Sequence, residues 1–331
     1  ATCEALSVLF RLEGFQTAAA DNQPPMDANS IIRYTDLGHV WLHANTEKAG
    51  NLPRSAVFCT DGLNDAPQPA GCELQAVHSG ERIGLAASHF PDYTACDWTR
   101  NIIWRRGAYF VVIDLLRQTR EGRFGLICSF RTPQRAWLTE DGLLAREGDA
   151  EMRIRNADAV RLSLDGGDEL EGAAIPTLLR ESRPLERGVG TVEAFRNLVF
   201  ATDPTRHVDL DMRPLGETAA TVRGSIAGEQ ELALVAAAPA GEGIHIGGIQ
   251  TGAQVLYIGA AGWAVTGGTG LSVGGQPLAG AAGDLTAEMR DELEALWART
   301  QPAEHPLDGL HGPAASTPLW TYDGFLHLPP T

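Results

Sequence analysis

Apolar residues in this chain come in short runs separated by turn-forming clusters, a pattern that predicts antiparallel strands rather than helices. From Ser30 to about Phe200 the runs include Val57 to Cys59 before Thr60-Asp61-Gly62, Ile102 to Trp104 before Arg105-Arg106-Gly107, and Tyr109 to Leu116. Asp-Gly and other glycine-bearing turns suit hairpins, because glycine accepts positive φ without steric cost. The positions Ile154, Ala157, Val160, Leu162 and Leu164 alternate less regularly but also end in a turn, Asp165-Gly166-Gly167-Asp168. From Leu232 to Leu278 glycines punctuate Val, Ile, Ala and Leu, as in Ile244-His245-Ile246-Gly247-Gly248-Ile249 and Val255-Leu256-Tyr257-Ile258-Gly259. Interior glycine weakens a helix by about 1 kcal/mol, so this segment predicts the closing strands of a sandwich.

One helix is expected near the end. Leu285, Met289, Leu293, Leu296 and Trp297 recur at helical spacing, Glu288, Asp291, Glu292 and Glu294 face water, and Asp284 can cap the first turn. Beyond Pro302 the chain is rich in Pro, Gly and His and carries Pro318-Leu319-Trp320-Thr321-Tyr322, which predicts a linker that packs locally or leads into a further domain. The expected architecture is all-β: a large antiparallel β-sandwich, supersandwich-like, over residues 1–282, with a helix and tail over 283–331.

Composition narrows the function classes. With 331 residues, 44% hydrophobic and 21% charged, the chain can bury a sizeable core and is not a disordered one. No apolar run approaches the length of a membrane-spanning helix. The 42 acidic against 26 basic residues give a formal charge of -16, which repels a nucleic-acid backbone. Arg100, Arg105, Arg106, Arg117, Arg120, Arg123, Arg131 and Arg135 nevertheless crowd one region, where a local basic groove could hold an acidic sugar. Cys3, Cys59, Cys72, Cys96 and Cys128 show no zinc-ribbon spacing; their odd number permits one or two disulfides with a thiol left over. The residues before Leu12 lack the charged region and cleavage site of a secretory leader, and the chain reads as trimmed from a longer polypeptide.

Several residues could carry chemistry. His39 and His43 flank Trp41 at alternating positions, so on a regular strand they share one face and, with Asp36 or Asp97 nearby, could bind zinc; the plainer reading is a polar strand face. The acidic turn at Asp165 invites calcium but does not fit an EF-hand loop, and a solvated turn is the plainer reading. Gly267-Gly268-Thr269-Gly270 lacks the Gly-Lys-Ser/Thr of a phosphate loop. Trp41, Trp98 and Trp104 could stack on sugar rings or fill the core, and Arg54, Arg100, Arg105 and Arg106 could pair with carboxylate or sulfate groups or simply face water. Tyr93, His78 and His89 precede Trp98 in a stretch that could line a cleft or pack.

The stretch from Asp27 through Ala28-Asn29-Ser30 to Gly38 and Leu42 resembles the start of the β-sandwich domain of the heparinase II/III-type polysaccharide lyases. There an Asp-Ala-Gly-Ser-Phe segment leads into a strand, a glycine turn and a second strand, with histidine just upstream; here the upstream residues are Gln23-Pro24-Pro25-Met26. A second block of the family, His-Asn before a short strand and Asp-Gly, is matched by Arg54-Ser55-Ala56-Val57-Phe58-Cys59-Thr60-Asp61-Gly62, with Arg-Ser in place of His-Asn. A third, an Arg-bearing strand and a hairpin to a strand ending in Asp, is matched by Trp98-Thr99-Arg100 to Trp104 and Gly107 to Asp114.

The resemblance implies a sandwich paired with an N-terminal helical toroid, the cleft lying between them. Lyase chemistry removes the proton α to a uronate carboxyl and expels the glycosidic oxygen, so it needs a base, an acid and a group that neutralises the carboxylate. In the family the toroid supplies an Asn or Arg, a Tyr and a His, and the sandwich adds a His. Only one amphipathic helix is found in this sequence. The implied function is a lyase-like sandwich module that acts on or binds acidic, uronate-containing polysaccharide together with a helical domain of the same polypeptide, in an extracellular or periplasmic setting, inactive or nearly so by itself. The alternative is a non-catalytic carbohydrate-binding or structural module. The implied substrate contacts are Trp41, Arg54, Trp98, Arg100 and Arg105, and the catalytic candidates are His39, His43 and Tyr93. Neither nucleic acid nor membrane is an expected partner.

Overall fold

The computed structural model describes residues 5–8, 29–43, 55–60, 72–166, 169–170, 173–174, 177–239 and 241–303. Within them the expected all-β architecture is present, with several antiparallel sheets and a single helix. The central layer is an eight-stranded sheet in which Arg135–Thr139, Gly142–Glu147, Ala150–Asn156, Val192–Thr202, Tyr109–Gln118, Cys96–Arg105, Ile83–Tyr93 and Glu73–Ser79 lie side by side.

Its middle strands are covered on both faces. In Tyr109–Gln118, Phe110, Val112 and Leu116 enter one core while Val111, Ile113 and Leu115 enter another. A strand buried twice has no polar face, so Tyr109 to Leu116 reads as an apolar run interrupted only by Asp114. The first core is closed by the sheet of Arg161–Asp165, Thr177–Leu185, Phe124–Thr132 and Val57–Thr60, joined by the hairpin Ile31–Asp36 and His39–His43. The second is closed by a six-stranded sheet that includes Val208–Leu215, Ala219–Ile226 and Glu229–Ala237. That sheet's far face carries a third core, where Leu234, Leu256 and Ile258 meet Ile249, Leu271 and Val273 of a small four-stranded sheet. Each aliphatic or aromatic side chain so buried contributes roughly 1.5–3 kcal/mol.

The helix Ala287–Arg299 packs Met289, Leu293 and Leu296 into the third core. Its cap is Thr286, whose hydroxyl accepts from the Met289 amide at 3.2 Å, and not Asp284, which instead pairs with Arg82 at 2.7 Å on the surface. The cysteine count permits disulfides, but Cys59, Cys72, Cys96 and Cys128 are buried and form none with one another, and Cys3 lies outside the described residues. Burial pushes the Cys72 thiol up to about 11, and burial first, then the Glu181 and Asp114 carboxylates, drives Cys128 well above the ordinary thiol range. These thiols are core-filling groups, inert as nucleophiles.

Candidate functional site

Arg100 sits at the middle of the eight-stranded sheet, directly across from Asp114 on the neighbouring strand. Its side chain is wholly buried, and every guanidinium nitrogen has a partner. Nε and Nη2 donate to the two Asp114 carboxylate oxygens at 2.8 and 2.9 Å, and Nη1 donates to the carbonyls of Asn29 and Ser55 at 2.8 and 2.7 Å. The Trp98 indole N–H also donates to Asp114 Oδ1, at 2.8 Å, the oxygen that Arg100 Nε bonds. Burial alone would lower the Arg100 pKa, but the charge and hydrogen bonds of Asp114 outweigh it and raise the pKa above the ordinary value. Removing one member of such a pair strands a buried charge, at a cost of about 3–5 kcal/mol.

The three blocks quoted from the sequence therefore meet at one side chain. Asn29 belongs to the first block, Ser55 to the second, and Arg100 and Asp114 to the third. Asn29 stands where the lyase pattern has glycine, and it adopts φ 61°, a left-handed conformation that asparagine tolerates better than most residues. The Ser88 hydroxyl donates to its side-chain oxygen, and the Ser55 hydroxyl accepts from the Arg131 amide at 3.1 Å. The motif is a clamp that ties the hairpin and the four-stranded sheet to the central sheet.

This placement corrects three of the expected sugar contacts. Trp41 and Trp98 expose 0% and 2% of their surfaces, and Arg100 is spent within the core, so none presents a ring face or a free charge to a ligand. Arg105 keeps some exposure, with Nε 4.0 Å from Glu231 and Nη1 donating to the Arg106 carbonyl. Glu231 is itself held between the Tyr109 and Tyr257 hydroxyls, both at 3.1 Å, and burial raises its pKa. Arg54 lies outside the described residues.

The histidine pair does not share a face. The pairing Asp36↔His39, Thr35↔Val40, Tyr34↔Leu42 and Arg33↔His43 leaves Trp41 as an extra residue, a bulge that shifts the alternation by one. His39 therefore faces with Asp36 and His43 with Arg33, on opposite sides of the hairpin. Asp36 is not available as a zinc ligand, because it is buried against Arg206 and accepts from the Tyr34 hydroxyl at 3.0 Å and the Leu37 amide at 2.9 Å. Asp97 accepts the Asp92 amide at 2.9 Å. Among the described residues no group of three His, Cys, Asp or Glu side chains could hold a metal ion. The calcium candidate Asp165 is paired with Arg180, and Gly167 and Asp168 fall outside the described residues.

Tyr93 packs its ring against Phe90 and Trp98, with centroids 5.3 and 5.8 Å away. Burial, then the neighbouring Cys96 and Cys59 thiols, pushes its phenol far up, so the phenolate form is disfavoured. His89 meets the Thr99 hydroxyl at 3.2 Å, a hydrogen bond within the sheet. The arginine run is not one groove either. Arg117 pairs with Glu242, Arg120 with Asp92 and Arg123 with Glu186, and Arg131 is buried.

Two features escape a reading by strand pattern. Gly270-Leu271-Ser272-Val273-Gly274 has the spacing of a nucleophile elbow, yet Ser272 lies mid-strand, paired with Gln250 and Pro277, and not on a strand-to-helix turn. The second is Trp137, which is 40% exposed on the edge strand Arg135–Thr139, with the guanidinium carbons of Arg135 and Arg146 at 5.4 and 6.0 Å from its ring centroid. An alternating Arg-Ala-Trp-Leu-Thr next to a glycine turn was the available signal.

No family model and no curated protein matches this sequence. Among solved structures the chain is similar to the heparan sulfate lyase HepC from Pedobacter heparinus, at 15% identity over 64% of this chain and 37% of that one, with a TM-score of 0.48. It is also similar to heparinase III, at 14% identity over 62% of this chain and 35% of that one, with a TM-score of 0.45. The chain spans little more than a third of the length of these two proteins.

Proposed function

We propose that this chain is the β-sandwich module of a polysaccharide-lyase-like protein, that it binds acidic, uronate-containing polysaccharide, and that cleavage depends on a helical domain of the same polypeptide. The observation that carries the reading is the convergence of the three lyase-like blocks on Arg100. Blocks dispersed over some ninety residues of sequence join in one clamp, so the shared pattern answers to a shared structural need. That need is architectural: the clamp holds sheets together and leaves no proton-transfer group at its centre.

The division of labour follows from the chemistry. Elimination at a uronate needs a base near its working pKa and a partner for the carboxylate. The positions that carry histidine in the lyases read Gln23-Pro24-Pro25-Met26 and Arg54-Ser55 here, and the phenolate form of Tyr93 is disfavoured. A sandwich of this kind contributes grip and orientation, while base and neutraliser come from elsewhere. His39 and His43 act singly if they act at all, because they face opposite sides of the hairpin. The setting that suits such a substrate is extracellular or periplasmic; among the described residues no helix is long and apolar enough to cross a membrane.

The same replacements favour a second reading, a purely non-catalytic binding or structural module. Incubation of the chain with uronate-containing glycans, followed by ultraviolet absorbance of the unsaturated product, tests the first: no turnover is expected, and sustained turnover by the chain alone overturns it. Binding on a glycan array then separates recognition from scaffolding.

A further inference from the structure

The outward face of the strands Arg135–Thr139, Gly142–Glu147 and Ala150–Asn156 forms a small grid. Cross-strand pairing sets Arg135 beside Arg146 and Glu151, Trp137 beside Leu144 and Arg153, and Thr139 beside Gly142 and Arg155. Glu151 accepts from both Arg146 and Arg153, and the Arg146 bonds, against a smaller effect of burial, hold its carboxyl below the ordinary range. Arg135, by contrast, has no carboxylate partner among the described residues.

Two properties set this face apart among the described residues. Trp41, Trp98 and Trp263 are all at least 96% buried, whereas Trp137 leaves 40% of its surface in water. Like charges directly opposite each other on neighbouring strands are destabilising, yet Arg135 faces Arg146. An arginine alone would serve to guard an exposed edge strand against pairing with another chain; the indole beside it adds a flat apolar surface. Arg146 and Arg153 share Glu151, and Arg155 is paired with Asp141 and Asp211, so the unmatched positive charge of the grid rests on Arg135. A cavity of about 390 Å³ lies on the neighbouring strands, lined by Thr139, Glu140, Asp141, Arg153, Arg155 and Asp211 among others; Asp141 and Asp211 pair there with Arg155, and Trp137 is not part of its wall.

We propose that this grid is a subsite for an anionic sugar residue, its ring stacked on Trp137 and its carboxylate or sulfate gripped by Arg135. An indole face matches the C–H face of a pyranose, and the guanidinium fork matches a planar carboxylate in a bidentate pair. Arg146, kept in place by Glu151, lies at 6.0 Å from the same ring and adds a second positive charge without being free to collapse onto the ligand. The proposal rests on the functional reading above and gives it a location.

The test is calorimetric titration of the full chain and of its Trp137→Ala, Trp137→Phe and Arg135→Ala variants with a uronate hexasaccharide and with a neutral hexasaccharide of equal length. Loss of the stacking surface should weaken uronate binding by about ten-fold or more in Trp137→Ala and less in Trp137→Phe, a ten-fold change being about 1.4 kcal/mol. Arg135→Ala should weaken binding of the uronate and remove the preference over the neutral sugar. Circular dichroism should report unchanged folding, since both side chains are on the surface. If the unmodified chain binds the uronate and all three variants bind it equally well, the subsite is wrong and the functional reading stands. If the unmodified chain binds neither sugar, both are wrong.

Discussion

Replacing Glu181 with glutamine should flatten the pH dependence of this protein's stability. Glu181 is fully buried and accepts hydrogen bonds from the Asn156 and Asn197 amides, both at 2.8 Å. Burial pushes its carboxyl up to about 8 despite those two bonds, with the Asp158 and Asp114 charges adding to the rise. In the folded chain it keeps its proton to about pH 8, whereas in the unfolded chain it ionises near 4.5. Between those values the native state holds the extra proton, so the unfolding free energy falls as pH rises. The contribution is whole below pH 4.5 and has been lost above about pH 8. Each pH unit in the window is worth about 1.4 kcal/mol, so the full loss approaches roughly 4–5 kcal/mol, a large part of a typical domain's 5–15 kcal/mol. Glutamine keeps an oxygen for the two asparagines and cannot ionise. Urea unfolding followed by circular dichroism at pH 5, 6, 7 and 8 should show a falling stability for the natural chain and a shallower fall for Glu181→Gln. The remaining slope belongs to groups such as Glu231, which is raised for the same reason. Parallel profiles for the two proteins would refute the reasoning.

Arg100→Met should destabilise the fold by about 3–5 kcal/mol by stranding Asp114, and the double variant Arg100→Met/Asp114→Leu should recover part of that loss; denaturant titration of the three proteins checks the coupling. Asp36→Asn removes the charge that holds Arg206 and should speed amide exchange in the hairpin Ile31–Asp36/His39–His43 before it lowers global stability, as hydrogen-exchange mass spectrometry would reveal. His39→Ala/His43→Ala should leave zinc content after dialysis unchanged, because the bulge at Trp41 sends the two imidazoles to opposite faces; loss of stoichiometric zinc in the variant would contradict that placement.

Much of the fold is legible in the order of apolar runs and turns, and a strand such as Ala150–Asn156 alternates in a way that period-two patterning detects. The blocks at Asn29, Ser55 and Arg100 were legible too, as text. Their role was not, because an arginine in a strand reads as a solvated side chain unless its cross-strand partner is known. Asp114, 14 residues away, becomes that partner only once the hairpin register is set. The histidine pair fails for a related reason: one bulged residue reverses every face assignment beyond it, and no composition signal marks Trp41 as the bulge. The arginine run dissolves because its acids, Glu242, Asp92 and Glu186, arrive from distant strands and loops. Trp137 was hidden by the opposite assumption, that a tryptophan in a sandwich belongs to the core.

The central claim is that this sandwich grips an acidic polysaccharide without cleaving it. Calorimetric titration of the chain with a uronate oligosaccharide at two salt concentrations tests both halves at once, because binding gives saturating heat and turnover gives heat that continues until substrate is exhausted. The account predicts a saturable isotherm that weakens with salt, with no sustained heat. An absence of any heat at either salt concentration, or a sustained heat of reaction from the chain alone, would contradict it.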